Sequence, residues 1–233
     1  MENILDKLIY FDQQLLLWFN GSDSLFVDRL AVVLTSGLTW IPLYLALFYL
    51  VVRNNETMLQ IALVMGCSLL CLLLADGMAD GIVKPMVGRW RPSNDPYFKY
   101  VVEVVGNHRD TNFGFFSAHA ANTMSIATFF SLLVRNRLFN FALIVWSLIN
   151  CWTRMYLGLH YPSDILCGLA WGVASGMISY FVFHQFYYKV SPKINYISSQ
   201  YTSTGYSNVD IDIVMMAIVG ILAIAVLASL SVF

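Results

Sequence analysis

Six long apolar runs, each free of charged side chains, decide which solvent this chain folds in. Residues 30–52 carry no charge over 23 positions, 57–75 over 19, 120–134 over 15, 138–153 over 16, 165–183 over 19 and 213–233 over 21. A helix needs about 20 apolar residues to cross a bilayer, within a range of about 17 to 25. The third and fourth runs reach that length only by including a polar end, which for the third is residues 113–119. A helix satisfies its own backbone in lipid. The expected fold is therefore all-α, a six-transmembrane helical bundle forming one membrane-embedded domain over residues 1–233.

Composition agrees. Hydrophobic residues make up 58% of the 233 and charged residues 12%, against about 25% charged in soluble domains. A soluble chain of this length leaves much of its surface wet and has nowhere to hide so much apolar area. That excludes an ordinary soluble globule and a disordered chain. The formal net charge of -1 provides no field for a polyanion, so no nucleic acid is expected as a partner. No internal repeat or low-complexity tract is visible.

Residues 1–10 lack the basic start and compact apolar core of a cleavable signal peptide. Ile4, Leu5, Leu8, Leu15, Leu16 and Phe19 follow helical spacing, and Asp12 interrupts them. This predicts a short N-terminal amphipathic helix lying in the membrane interface. The alternative is a helix packed on the bundle. Cys67, Cys71, Cys151 and Cys167 lie inside apolar runs and read as small core hydrophobes. Cys67 and Cys71 have no nearby His or Cys, so no metal site is expected there. Gly168, Gly172 and Gly176, and likewise Gly77 and Gly81, recur every four residues and read as close helix packing.

Successive spans reverse direction. One face therefore collects Lys84, Arg91, His119, Arg154, His160 and Asp164 with the amino terminus, and the other collects Arg53, Arg135, Arg137, Lys189 and Lys193. Counting Lys and Arg gives eight on the first face and five on the second, although the first face carries far more loop. The positive-inside rule leaves the orientation open.

Three islands lie on the first face. Lys84 and Arg91 have six residues between them and Pro92 follows; Phe116-Ser117-Ala118-His119 comes next; then Thr153-Arg154, His160 five residues on, and Asp164 after three more. Two arginines and a lysine at one membrane edge suit an anion, since Arg forks match phosphate oxygens and Lys adds a compact charge. Ser117 offers a hydroxyl, and the amides near Ala118 could aim at the same anion. Lone cations of this kind also snorkel to headgroups, but snorkelling does not explain two histidines and a carboxylate beside them.

His160 and Asp164 are four apart, within reach on one helical face. An Asp holding one ring nitrogen raises the basicity of the other, which can attack phosphorus and form a phosphohistidine. Asp164 would stabilise the charge that builds on the ring. Taken alone, the pair reads equally as a structural histidine capping the fifth span. His119 suits the proton donor to the leaving alkoxide and then the base that activates water. Asp80, one helical turn before Lys84, is expected to pair with it and hold it. His108, Arg109 and Asp110, in the long loop, read first as solvated charges.

The three islands, in this order, resemble the type-2 phosphatidic acid phosphatase superfamily, the lipid phosphate phosphatases, whose pattern is K-x6-R-P, P-S-G-H and S-R-x5-H-x3-D. The resemblance runs over about residues 80–172. It implies that Lys84, Arg91 and Arg154 bind phosphate, that Ser117 and His119 form the second motif, and that His160 with Asp164 is the nucleophile pair. It implies no metal and no cofactor. Phe116, Ala118 and Thr153 depart from the pattern. Ala118 keeps its amide, Thr153 keeps a hydroxyl, and Phe116 could contact a lipid chain. The implied partner is a membrane lipid phosphate held among bilayer lipids: undecaprenyl diphosphate, a lipid A phosphate, phosphatidylglycerol phosphate or phosphatidic acid. For bacterial members, which this chain resembles, the expected place is the inner membrane with a periplasmic active site. A lipid or anion transporter with a phosphate site is the rival. Transporter sites usually lie near the midplane between repeats, unlike a cluster at helix ends.

Overall fold

The computed structural model describes residues 4–107, 109–110, 113–190 and 199–230. Among them the regular structure is helical, apart from one isolated bridge between Tyr201 and Ser207. The helices are α1 (Ile4–Phe19), α2 (Leu25–Thr35), α3 (Ile41–Arg53), α4 (Met58–Met78), the short α5 (Lys84–Val87), α6 (Ala118–Val134), α7 (Arg137–Tyr156), α8 (Pro162–Val190) and α9 (Asn208–Leu230). Their starts are written in the sequence. Ser24, Thr57, Ser117 and Asn136 each cap a helix by accepting a backbone N–H from its first turn, satisfying donors the helix leaves open.

Among the described residues, four stretches are long and apolar enough to cross a membrane: one built on α4 within Met58–Tyr100, then Arg137–Tyr156, Pro162–Tyr187 and Asn208–Leu230. Many of their large apolar side chains point outward, among them Leu69, Leu73, Phe141, Phe181, Met216 and Leu227. Such a surface is stable in lipid and not in water. The chain is a multi-pass membrane protein.

The first apolar run is not one straight span. It breaks between α2 and the segment Gly37–Arg53, which are bent by 68°. Ser36 is extended. Thr39 Oγ1 donates to the Val33 carbonyl at 2.5 Å and Trp40 Nε1 to that of Leu34 at 2.9 Å. Side chains thus take over carbonyls that a continuous helix would bond, and a proline in the first turn of α3 supplies no N–H of its own. Hydropathy cannot see this, because the run stays apolar across the bend.

The 17-residue α6 sits at the centre, packed on α8, α7 and α4. A Cβ added at Gly168, Gly172 or Gly176 of α8 would lie 2.6 Å from the carbonyl oxygen of Ser117, Ala121 or Ser125. Only glycine permits so close a seam. Gly77 and Gly81 correct the expectation: among the described residues nothing lies within 4 Å of a Cβ built at either. Cys167 also departs from it, being exposed while Cys67, Cys71 and Cys151 are buried. In α1, Leu16 is buried while Ile4, Leu8 and Trp18 are exposed, so a single face docks on the bundle.

Candidate active site

The site is built by three chain breaks that bring their side chains to one end of the bundle. The first follows α4. A π turn, Ala79–Val83, precedes α5, a distortion often found at functional positions. It delivers Lys84, which is buried and ion-paired with Asp80. Gly88, at φ 60°, closes α5 in the left-handed region, as glycine does without strain. Arg91 is extended, as the residue before Pro92 must be.

The second break is the start of α6. Ser117 is its cap, with Oγ accepting from the Ala120 N–H at 3.4 Å. His119, in the first turn, is exposed. The third is the turn after α7. Gly158, at φ 66°, lets its N–H bond the Met155 carbonyl while the Leu159 N–H bonds that of Arg154, both at 3.0 Å. His160 is thereby turned inward. Pro162 then opens α8 with Asp164 in its first turn, where the helix dipole favours a carboxylate.

Lys84, Arg91, His119 and His160 meet at a cavity of about 350 Å³ also lined by Asp76, Asp80, Asp110, Ala118 and Asn122, while Arg154 and Asp164 stand outside that lining. Arg91 Nη1 lies 3.0 Å from His160 Nε2 and 3.2 Å from the Leu159 carbonyl. A guanidinium only donates, so Nε2 accepts and the ring proton of the neutral imidazole sits on Nδ1. That nitrogen faces Asp164 Oδ2 at 3.6 Å, an ion-pair separation longer than a hydrogen bond. Burial first, then the charges of Arg91, Arg154 and Lys84 and the neighbouring His119, hold the His160 pKa well below its ordinary range. Such an imidazole stays neutral, with a lone pair on Nε2, as attack on phosphorus requires.

Arg154 is buried, and its Nη1 donates to Thr35 Oγ1 at 3.0 Å. Its Nη2 is 3.6 Å from Asp110 Oδ2, and Arg91 Nη2 is 3.1 Å from the same oxygen. Among the described residues, the buried Nε of Arg154 has no hydrogen-bond partner. One anionic oxygen already sits between the two guanidiniums, in the arrangement a phosphate oxygen would adopt.

Sequence expectation and geometry differ at three places. Ser117 is fully buried and does not line the cavity, its hydroxyl serving the cap of α6. Phe116 is buried with Ala75, Ala79, Ala118 and Ala121, not presented at the surface for a lipid chain. Asp110, read first as a solvated charge, pairs with both arginines. His108 lies outside the described residues. Sequence reasoning also passed over Arg89 and Asp12. The signal for Arg89 was a second arginine inside the first island, and for Asp12 a lone carboxylate breaking an apolar stripe.

Comparison with known proteins decides the class. The family model described as the PAP2 superfamily matches residues 65–190, a segment that holds all three islands. The chain belongs to the PAP2 superfamily. Two curated relatives carry the name lipid A 4'-phosphatase. The one from Bacteroides thetaiotaomicron is 36% identical over 183 residues, covering 78% of this chain and 81% of its own. The one from Porphyromonas gingivalis is 25% identical over 218 residues, covering 93% and 90%. No solved structure matches. As a PAP2 protein with such relatives the chain is a phosphoric ester hydrolase, which the family favours over the transporter that was its rival.

Proposed function

We propose that this PAP2 phosphatase removes the 4'-phosphate of lipid A through a phosphohistidine on His160, at the periplasmic face of a bacterial inner membrane. The observation that carries the reading is that both histidines, Lys84 and Arg91 line one cavity, with His160 Nε2 accepting from Arg91. The two relatives named for lipid A 4'-phosphate support it over the other lipid phosphates.

In the proposed reaction, Lys84, Arg91 and Arg154 neutralise the phosphate oxygens, a stabilisation that grows in the transition state. His160 Nε2 attacks phosphorus as the bond to the sugar oxygen breaks, and protonated His119 gives that oxygen its proton. Neutral His119 then takes a proton from water, which attacks phosphorus and breaks the P–N bond. Phosphate leaves and His160 is restored. Asp164 faces Nδ1–H throughout. Asp80 holds Lys84, and Ser117 orients the first turn of α6 beside the phosphate. No step needs a metal. The six-span count belongs to the same proposal. With the bent pair as one span, α6 is the sixth, and at about 1.5 Å per residue it just crosses a thin apolar layer. So do the interfacial seat of α1, whose outward apolar face suits it, and a single domain over residues 1–233.

The test is phosphate release by purified protein from lipid A, undecaprenyl diphosphate, phosphatidylglycerol phosphate and phosphatidic acid, side by side with a chelator present. Lipid A losing its 4'-phosphate fastest, His160→Ala inactive yet folded, and an acid-labile phosphoprotein trapped in the wild type are the expected results. Faster turnover of another lipid overturns the substrate, and an active His160→Ala overturns the mechanism.

A further inference from the structure

We infer that Asp12 of α1 and Arg89 are positioning residues of the reaction, a relay that fixes the direction and the net charge of Asp164 behind His160. The inference rests on His160 being the nucleophile, as proposed above.

The contacts form a closed chain. Asp164 Oδ1 accepts from Arg89 Nη1 at 2.6 Å, and Oδ2 accepts from the Tyr161 N–H at 2.9 Å. The carboxylate is fully buried, so these two bonds set which oxygen faces His160 Nδ1. Arg89 cannot swing away. Its Nη2 donates to Asp12 Oδ2 at 2.6 Å, its Nη1 also donates to Ser163 Oγ at 2.7 Å, and its guanidinium lies over the Tyr161 ring at 4.2 Å. Asp12 Oδ1 accepts from the Ser163 N–H at 2.9 Å, so the same carboxylate holds the first turn of α8.

Charge gives Asp12 its purpose. Arg89 and Asp164 alone would neutralise each other, and positive charge growing on His160 would meet no net anion. With Asp12 present, one guanidinium is shared by two carboxylates, and a net negative charge remains behind the ring. Both carboxylates are required for this, and both are nearly or wholly buried. α1 is thereby joined to the chemistry and not merely docked on the bundle.

Activity and its pH profile separate this role from a structural one. The groups facing His160 are Asp164 of α8, Arg91 of the loop, Arg154 of α7, Lys84 of α5 and His119 of α6, and all persist in an Asp12→Asn variant. That variant is expected to lose about tenfold in kcat with KM within about twofold. The acid limb of kcat/KM should move down by about half a pH unit, because losing a negative charge destabilises the protonated ring. Asp12→Glu should restore the limb. Wild-type kcat in Asp12→Asn overturns the relay, as does a loss matched by lost folded protein with an unmoved limb. Should Asp12→Asn fail to fold, Arg89→Lys keeps the charge without the fork, and the same fall in kcat is expected; an unchanged kcat overturns the relay. A dead His160→Ala beside a normal Asp12→Asn removes the relay alone, whereas an active His160→Ala removes the nucleophile with it.

Discussion

Arg91 Nη1 stands 3.0 Å from His160 Nε2, so the cation that would meet the phosphate also fixes which ring nitrogen keeps its lone pair. A substrate oxygen entering the cavity would draw the guanidinium onto itself and free Nε2 for attack. On the proposed mechanism, Arg91 would therefore both orient the nucleophile and neutralise the phosphate. Lysine carries the charge but has no planar fork. Arg91→Lys is expected to lower kcat/KM about a hundredfold, most of it in kcat, as read by initial rates of phosphate release. A loss confined to KM would mean that Arg91 only binds.

Asp110 Oδ2 lies between Arg91 and Arg154, where an anionic ligand must displace it. Asp110→Asn removes the competing charge while keeping the shape. Inorganic phosphate should then inhibit about fivefold more tightly, measured as Ki against lipid substrate at fixed ionic strength. A weaker Ki would make Asp110 a ligand-organising group instead of a competitor.

The parts of this site that were legible in the sequence carry their chemistry in their residue type. Lys84, Arg91, His119, Arg154 and His160 are ionisable groups beside apolar runs, where such groups are costly unless used. The His160–Asp164 pair was readable from its short spacing, although His160 lies in the turn before α8 and not on one helical face with Asp164. Arg89 and Asp12 were not, since their bond joins residues 77 apart and depends on how α1 docks. The cap bond of Ser117 was not legible for a related reason: spacing gives a residue's position but not the partner its hydroxyl chooses. Apolar runs likewise located the helices but not the bend at Ser36, which is made by the side-chain bonds of Thr39 and Trp40.

Stability should fall in mild acid because of His160. Its folded-state pKa is lowered by burial and by surrounding cations. Below about 6.5 the unfolded chain takes up a proton at this residue that the folded chain does not. The stability it contributes is therefore present above the unfolded pKa and is lost as pH falls towards the folded one, at up to about 1.4 kcal/mol per pH unit. Thermal melts in detergent between pH 7.5 and about 5 should show a steeper loss for wild type than for His160→Gln, which has no imidazole to protonate. Equal slopes would assign the acid sensitivity to other groups.

The α6–α8 seam packs the helix that carries His119, because Ser117 at the head of α6 receives the methyl-free face of Gly168, and Gly172 meets Ala121 one turn further along. A Cβ at Gly172 would stand 2.6 Å from the Ala121 carbonyl oxygen and 2.8 Å from Met124 Cβ, and neither backbone can yield without parting the helices. Gly172→Ala is expected to cost about 1–3 kcal/mol and to lower activity by displacing His119 from His160. Gly77→Ala, with open space around it, is the matched control and should melt within a degree or two of wild type, helped slightly by alanine's better helix propensity. Melting curves and phosphate release on the two variants test the seam together. A Gly172→Ala protein as stable and active as Gly77→Ala would show that the helices can part without disturbing the site.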